Sequence, residues 1–263
     1  MEQDENETMA AYTVIFDGLL QLGPGAPGTT RELLEQIRPF LPPDPRVADF
    51  GCGVGASALV LAEALPGARV LALDLHAPFI SRLHAMAVER GLDDRISAVA
   101  GDMADPPPLD GVNGEFDLIW SESAIYSIGR NHALNKWRAL LRPEGWLVFS
   151  DIVWQREPAE RSSEAITFWT TEYPDITTSA NITAELAAAD FRPLEPVMCQ
   201  QNAWSNYYEP LRERLRQLAQ SKSRSQALID VMAGMDREIS VYDRAGDEVN
   251  IAFFLAQPVS TIK

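Results

Sequence analysis

The chain has 263 residues, of which 46% are hydrophobic, and a formal net charge of −16. This length and composition fit one large α/β domain and exclude wholesale disorder. The acidic charge disfavours binding to nucleic acid phosphates. The chain has no run of ~18 apolar residues, so no membrane span is predicted.

One helix is predicted before the first strand. An acidic start leads into an amphipathic stretch over residues 12–20. Because no basic segment precedes an apolar one there, we expect no secretory signal. Residues 31–37 favour a helix that Thr29 or Thr30 caps and Pro39 stops.

Strands and helices then alternate. Strands are predicted at about 46–50, 69–74, 96–100, 116–120 and 146–150. Helices are predicted between them at about 56–65, 78–90 and 132–141. This alternation is typical of a mostly parallel sheet with helices on both faces.

The pattern changes after the fifth strand. Residues 155–180 favour helix, 181–189 a short helix, and 204–240 a long charged helical segment. Residues 191–199 and 249–256 predict two strands that complete the sheet, one of them antiparallel at its edge. The helical segments would then form a lid.

A glycine-rich turn follows the first predicted strand. Asp49 is followed by Gly51, Gly53 and Gly55, which indicates a tight turn into a helix with the backbone open to a ligand. The spacing fits the dinucleotide fingerprint, and Asp74 follows at the distance of a ribose-binding acid. Taken alone, the turn leaves open a nicotinamide cofactor, another nucleotide-like ligand, or a purely structural turn.

Two acidic residues favour a cationic cofactor that carries adenine. Asp49 lies at the mouth of the turn, where its charge repels a pyrophosphate and attracts an ammonium group. Asp102 follows the third strand and can accept a hydrogen bond from an adenine amine, while Met103 packs on the ring. Residues 116–120 and 140–148 stand at the spacings of two further motifs.

With these motifs, residues of about 44–152 resemble a class I S-adenosylmethionine-dependent methyltransferase. The resemblance implies a doubly wound, seven-stranded, mostly parallel sheet of the Rossmann-like methyltransferase fold, with an antiparallel edge strand, a hairpin as its last pair, and a helical lid. It implies one domain over residues 1–263. The cofactor core would span about 44–152, and lid and acceptor-site elements about 1–43, 153–180 and 204–245.

The cofactor that the resemblance implies is S-adenosylmethionine, with S-adenosylhomocysteine as product. Asp49 would bind the methionine ammonium, Asp74 the ribose hydroxyls, and Asp102 with Met103 the adenine. The predicted cofactor residues are Asp49, Gly51, Cys52, Gly53, Gly55, Asp74, Leu75, Asp102, Met103 and Ser121.

Four further segments resemble a bacterial subgroup of small-molecule methyltransferases. They are residues 22–25, 121–129, 168–174 and 204–210. The sequence departs from the subgroup at Ser123, where the subgroup has glycine. This resemblance supports the reaction and does not name the acceptor.

The acceptor is expected beyond the carboxyl ends of the fourth and fifth strands. Glu122 and Asp151 follow those strands, and the Tyr126 hydroxyl can orient a polar acceptor, so these are the predicted catalytic residues. The structural alternatives are that Glu122 caps a turn, Asp151 faces solvent and Tyr126 packs in the core.

Aromatic side chains in the lid can enclose a ring or a cation. Trp169, Trp204 and Tyr207 are predicted to contact the acceptor. The alternative is that these rings form the core of the lid itself.

The sequence therefore predicts a cytoplasmic enzyme that transfers a methyl group to nitrogen or oxygen of a small molecule. We expect a monomer or homodimer with no nucleic acid or membrane partner. Cys52 and Cys199 are predicted to be reduced thiols, and no metal site is expected from three histidines and two cysteines. A nicotinamide-dependent oxidoreductase and a non-catalytic S-adenosylmethionine-binding protein are the alternatives.

Overall fold

An eight-stranded sheet lies at the centre of the described part of the chain. The structure is a computed structural model and describes residues 2–106, 116–200 and 202–259. The strands are β1 (Arg46–Phe50), β2 (Arg69–Asp74), β3 (Ile96–Ala100), β4 (Phe116–Ser121), β5 (Leu141–Trp154), β6 (Phe191–Pro193), β7 (Val197–Met198) and β8 (Val249–Pro258).

The strand order is β3-β2-β1-β4-β5-β8-β6, with β7 also paired to β8. Strands β1 to β5 are parallel, whereas β8 is antiparallel to β5 and to the two short strands outside it. The predicted doubly wound, mostly parallel fold is confirmed, with eight strands in place of seven because the segment predicted as one strand over 191–199 forms β6 and β7. The antiparallel strand β8 lies one position in from the edge, which the short strands β6 and β7 share.

Helices cover both faces of the sheet. They are α1 (Glu2–Phe16), α2 (Pro27–Ile37), α3 (Ala56–Ala64), α4 (Ala77–Glu89), α5 (Arg130–Arg138), α6 (Ser163–Glu172), α7 (Ser179–Ala188), α8 (Asn202–Ala219) and α9 (Gln226–Ala245). Two hydrophobic clusters result, one containing Val47 of β1 and the other its neighbour Ala48. Successive strand residues point to opposite faces, so β1 contributes to both clusters.

The order of strands reverses between β1 and β4. From β1 the chain passes outward through β2 and β3, then returns to place β4 on the other side of β1. Open α/β sheets bind ligands at such a switch point, beyond the carboxyl ends of the strands. The glycine turn follows β1 at this point.

Two predicted boundaries in the second half of the sheet were wrong. The helix predicted at 132–141 spans Arg130–Arg138, and the strand predicted at 146–150 begins at Leu141. Residues 142–145 include Pro143 and charged side chains, so the hydrophobic pattern of the sequence does not show that the strand begins before residue 146. The register with β4 shifts there, an irregularity that accommodates a proline within a sheet.

The lid helices are also divided differently from the prediction. The segment predicted as helical over 155–180 contains α6, which ends at Glu172. The next residue, Tyr173, precedes Pro174, and a residue before a proline disfavours helical geometry. The segment predicted over 204–240 is two helices, and Ser225 caps the second by accepting a hydrogen bond from the backbone of Leu228. Because α8 and α9 intervene, the last sheet strands are not joined as a hairpin.

No helix in the described ranges is long and apolar enough to span a membrane.

Candidate active site

The glycine turn after β1 requires glycine at each of its three positions. Gly51, Gly53 and Gly55 all have positive φ, of 71°, 54° and 88°. A Cβ atom at Gly51 would lie 2.3 Å from the Cβ of Ala124, and one at Gly55 would lie 2.1 Å from a methyl of Leu83. Backbone conformation and close packing therefore both exclude side chains here.

A cavity of about 600 Å³ opens above this turn. Residues from the turn, from the ends of β2 and β3 and from the segment after β4 form its walls. The predicted cofactor residues that line it are Gly51, Cys52, Gly53, Asp74, Leu75, Asp102 and Met103. The fold thus brings together side chains that the sequence spreads over about fifty residues.

Asp49 lies beneath the turn and is fully buried. Its Oδ2 atom accepts a hydrogen bond of 2.7 Å from the hydroxyl of Ser57. Its Oδ1 atom is buried and has no hydrogen-bond partner among the described residues. Because a buried carboxylate oxygen without a donor is costly, this atom is suited to a bound cation.

Burial raises the pKa of Asp49 to about 7, although hydrogen bonds from the Ser57 hydroxyl and the Ala58 backbone oppose this rise. The negative charges of Glu122 and Asp74 raise the pKa of Asp49 further. Three carboxylates thus interact around the methionine end that the sequence predicts. Their mutual repulsion would be relieved by a positively charged ligand.

Asp74 at the end of β2 is anchored by the backbone. Its two oxygens accept hydrogen bonds of 2.8 Å from the N–H groups of Gly53 and His76. A carboxylate has about four acceptor positions, so both oxygens can still accept a hydroxyl. This geometry fits a residue that holds the two hydroxyls of a ribose.

The far end of the cavity lies beside β3. Asp102 is exposed, and its Oδ1 atom accepts a hydrogen bond of 2.8 Å from the backbone of Ala104. Met103 is buried, and its carbonyl accepts a hydrogen bond of 3.0 Å from the indole of Trp137. Leu75 is 67% exposed, which leaves an apolar surface at the cavity for a ring to cover.

Helix α1 belongs to the predicted lid segment 1–43 and lines the cavity above the turn, although none of its residues was predicted to contact the cofactor. Met9, Tyr12 and Phe16 line it from this helix. A ring nitrogen of His76 lies 3.3 Å from the carbonyl of Met9, and the His76 ring stacks on Phe79 with centroids 4.5 Å apart. The amphipathic stretch at 12–20 was the only sign of this helix, and nothing in it indicated a ligand.

Glu122 lines the same cavity and is held in place by two donors. Its Oε1 atom accepts hydrogen bonds of 2.7 Å from the Trp120 indole and 2.8 Å from the Thr30 hydroxyl. Burial raises the pKa of Glu122, and these two hydrogen bonds oppose the rise. Thr30 was expected to cap α2, but that helix begins earlier without a side-chain cap.

Asp151 does not face solvent and is not a free base. Its Oδ2 atom lies 2.6 Å from Arg130 Nη1, and both side chains are buried. Arg130 also contacts Glu185 at 2.5 Å and donates to the carbonyl of Asp175 at 3.0 Å. Asp151 lies within β5, which runs to Trp154, and not after the strand as predicted. Burial raises the pKa of Asp151 and the Arg130 guanidinium opposes the rise, so the pair is suited to holding this part of β5 in place.

Four of the predicted cofactor and acceptor residues line none of the three cavities described: Asp49, Gly55, Ser121 and Trp169. Asp49 lies behind the turn and Gly55 at its end. Ser121 is fully buried at the end of β4, and its hydroxyl has no hydrogen-bond partner among the described residues. Trp169 is fully buried and packs against Phe168, Tyr173 and Trp204. Since neither side chain lines a cavity in the described structure, Trp169 belongs to the lid core, as the structural alternative expected.

A smaller cavity of about 60 Å³ adjoins the first one. The two cavities share the wall residues Leu22, Gly23, Ser123 and Tyr126. The predicted acceptor residues Tyr126, Asp151, Trp204 and Tyr207 line the smaller cavity, together with Tyr173 and Glu238, which the sequence did not predict. An outer cavity of about 340 Å³ continues from Tyr126 and Tyr173 toward residues 172–176.

Ser123 stands where the resemblance implied glycine, and it adopts a backbone conformation that favours glycine. Its φ of 52° lies in the left-handed region. Its N–H donates to the Ser150 hydroxyl at 2.8 Å, and its own hydroxyl donates to the Pro24 carbonyl at 3.2 Å. These bonds tie the segment after β4 to the loop that covers both cavities.

We therefore expect the strained backbone of Ser123 to lower the free energy of unfolding and its hydroxyl to raise it. Ser123→Ala keeps the left-handed strain and loses the hydrogen bond to Pro24, so it should lower the free energy of unfolding by about 1 kcal/mol. Ser123→Gly relieves the strain and should cost less than Ser123→Ala. Urea unfolding measures both, and a larger loss for the glycine variant would contradict this explanation.

Comparisons with known proteins agree with this geometry. Residues 47–145 match the family model of a methyltransferase domain. A sarcosine/dimethylglycine N-methyltransferase from Halorhodospira halochloris is 37% identical over 123 residues, which cover 46% of this chain and 43% of that protein. The chain thus matches less than half the length of that relative.

Solved structures extend the likeness to the whole fold. A methyltransferase from Geobacter sulfurreducens, crystallised with S-adenosylhomocysteine, has a TM-score of 0.81 at 19% identity, covering 95% of this chain and 98% of that one. The cyclase SpnF has a TM-score of 0.77 at 19% identity, covering 98% and 95%. Residues 47–145 are thus similar to a methyltransferase domain, and the chain has the fold of these solved structures.

Proposed function

We propose that the protein transfers a methyl group from S-adenosylmethionine to nitrogen or oxygen of a small molecule. The observation that carries this proposal is the unpartnered Oδ1 atom of Asp49, buried beneath a turn of three left-handed glycines. A cationic ammonium group satisfies that oxygen, whereas a pyrophosphate would meet repulsion from it.

The residues present fit this cofactor along its length. Asp49 would bind the methionine ammonium, and Asp74 would hold the ribose hydroxyls with its remaining acceptor positions. Leu75 and Met103 would contact the adenine ring, with Asp102 at its amine. When bound, S-adenosylmethionine supplies a methyl group already activated on a sulfonium.

The task left to the protein is to align an acceptor with that methyl group. The wall shared by the two cavities, formed by residues such as Ser123 and Tyr126, supports transfer between them. A cavity of about 60 Å³ suits the reactive end of a small molecule. The named relative that acts on sarcosine and dimethylglycine supports a small acceptor too.

We further propose that the enzyme acts in the cytoplasm as a monomer or homodimer, without a nucleic acid partner. The net charge of −16 supports the absence of a nucleic acid partner. Two free, buried cysteines support a reducing compartment.

A second candidate is a protein that binds the cofactor without transferring its methyl group. SpnF has a similar fold and is named as a cyclase, so this fold also occurs in a protein named for a reaction other than methyl transfer. That likeness favours the alternative. The nicotinamide alternative is disfavoured by the charge of Asp49 at the turn.

Two measurements separate these functions. In thermal unfolding, S-adenosylhomocysteine should raise the melting temperature and a reduced nicotinamide should not. The protein is then incubated with methyl-labelled S-adenosylmethionine and a low-molecular-weight metabolite fraction. Label in a small product supports methyl transfer; cofactor binding without label in any fraction would support the non-catalytic alternative, and stabilisation by the nicotinamide alone would overturn the proposal.

A further inference from the structure

The smaller cavity contains two carboxylates in different electrostatic states. Asp151 is paired with Arg130 at 2.6 Å. Glu238 of α9 accepts a hydrogen bond of 2.8 Å from the Tyr208 hydroxyl and forms no ion pair within residues 2–106, 116–200 and 202–259. Glu238 is therefore the carboxylate at this cavity whose charge the described protein does not compensate.

Aromatic side chains surround Glu238. Tyr126, Tyr173, Trp204 and Tyr207 line the same cavity. Its negative charge raises the pKa of the tyrosine hydroxyls at positions 126, 173 and 207. Burial of the hydroxyls is the larger cause, although the Tyr126 side chain as a whole is 42% exposed. Aromatic faces attract cations, and neutral hydroxyls leave the Glu238 charge without a counterion.

From this arrangement we propose that the acceptor is a small aliphatic amine, whose ammonium form Glu238 binds and deprotonates before methylation. The inference rests on the proposed function and adds the substrate class and a catalytic residue. The cavity of about 60 Å³ suits an amine nitrogen with its small alkyl groups, and the outer cavity can take the remainder of the molecule.

The step balances in protons and electrons. The ammonium gives one proton to the Glu238 carboxylate and becomes a neutral amine with a free lone pair. That lone pair forms the new N–C bond as the C–S bond of the sulfonium donor breaks, which leaves a neutral thioether and a methylated ammonium. Burial raises the pKa of Glu238 to about 7, so the group can both take and release a proton near neutral pH.

Binding tests the inference without turnover. Trimethylammonium is titrated into the complex with S-adenosylhomocysteine, and tert-butanol serves as a neutral molecule of similar size. The wild type should bind the cation and not the alcohol. Glu238→Gln should weaken trimethylammonium binding at least about tenfold while S-adenosylhomocysteine affinity stays within about twofold.

Asp236→Asn is the matched control for that variant. Asp236 is an exposed carboxylate on the same helix, and it lines neither the cofactor cavity nor the smaller cavity. This variant should bind trimethylammonium as the wild type does. Equal loss in both variants would show a general charge effect and overturn a specific role for Glu238.

Turnover tests the proton transfer. Pairs of amines and alcohols of equal size are compared as acceptors of label, and label should enter the amines. In Glu238→Gln, kcat should fall and the acidic limb of the pH profile of kcat/KM should flatten. Other titratable groups around Glu238 also enter this pH profile. They are Tyr12, Tyr126, Asp151, Glu172, Tyr173, Tyr207 and Tyr208.

The outcomes are distinguishable from failure of the proposed function. Label in alcohols alone, equal binding of tert-butanol, or no ammonium binding to the S-adenosylhomocysteine complex would overturn the amine inference and leave methyl transfer standing. Failure of S-adenosylhomocysteine itself to bind would overturn both. Amine labelling that Glu238→Gln leaves unchanged at every pH would overturn the role of Glu238.

Discussion

Replacing Asp49 by asparagine is expected to lower the affinity for S-adenosylhomocysteine at least about 30-fold. The loss corresponds to about 2 kcal/mol, the lower range for removing one partner of a buried charge pair. The carboxylate is fully buried, and its Oδ1 atom has no other partner among the described residues. Isothermal titration of both proteins measures the difference.

Asp44→Asn provides the control for this variant. Asp44 is exposed and precedes the opposite end of β1, so the same change in net charge is made away from the cavity. Its affinity should match the wild type. Unchanged binding by Asp49→Asn, with a fold that melts as the wild type does, would show that the turn binds something other than an ammonium group.

The same carboxylate should make binding depend on pH. Burial raises the pKa of Asp49 to about 7, so the free protein carries a proton there below pH 7. A cationic ligand requires the ionised form, and its binding near pH 6 should therefore release a proton, with affinity rising as pH rises through about 7. Titrations in buffers of different ionisation enthalpy measure this release, which Asp49→Asn should abolish.

The second large effect is expected on stability. Arg130→Met should lower the melting temperature by roughly 6–20 °C, since it leaves the buried Asp151 without its counterion at a cost of about 3–5 kcal/mol. The side chains of Arg130 and Asp151 are 5% and 2% exposed. The change also frees Glu185 and the carbonyl of Asp175, which loosens α7 from the end of β5.

Two further variants show whether the buried charge is the cause. Arg130→Met combined with Asp151→Asn removes both charges and should recover a large part of the loss. Arg244→Met breaks an exposed pair with Glu164 and should leave the melting temperature nearly unchanged. An equal loss in the single and double variants would assign the effect to packing instead.

Much of the cofactor side of the site was accessible from the sequence because it depends on local order. The glycine turn, Asp49 and Asp74 stand at fixed positions relative to strand ends, and parallel strands bring those ends together. The alternation of strands and helices therefore predicted the fold and the common position of Asp74, Asp102 and Met103 at one cavity, whereas the contribution of α1 to that cavity was not predicted. The roles of these residues toward a cofactor stay a prediction.

The acceptor side depends on contacts between distant segments, which leave no local pattern. Thr30 and Trp120 donate hydrogen bonds to the same oxygen of Glu122. Thr30 lies 92 positions from Glu122 in the sequence, and Trp120 lies two positions from it. In the sequence Asp151 is a candidate base after a predicted strand, and only the fold brings Arg130 beside it. Glu238 is one carboxylate on a helix with many charges, and only the packing of α9 against the lid brings it to a cavity.

Aromatic residues of the lid show the same limit. Trp204 and Tyr207 line the smaller cavity, whereas Trp169 fills the core behind them. Composition predicted an aromatic lid, but the face each ring presents is set by tertiary packing.

The wall shared by the two cavities is expected to bring donor and acceptor together. The most direct measurement is the position of the sulfur atom of S-adenosylhomocysteine in a crystal structure of the complex. We expect the ammonium group at Asp49 Oδ1 and the sulfur beside Tyr126 and Ser123, facing the smaller cavity. A sulfur that points away from this wall, or a ligand bound elsewhere than above the glycine turn, would contradict the account.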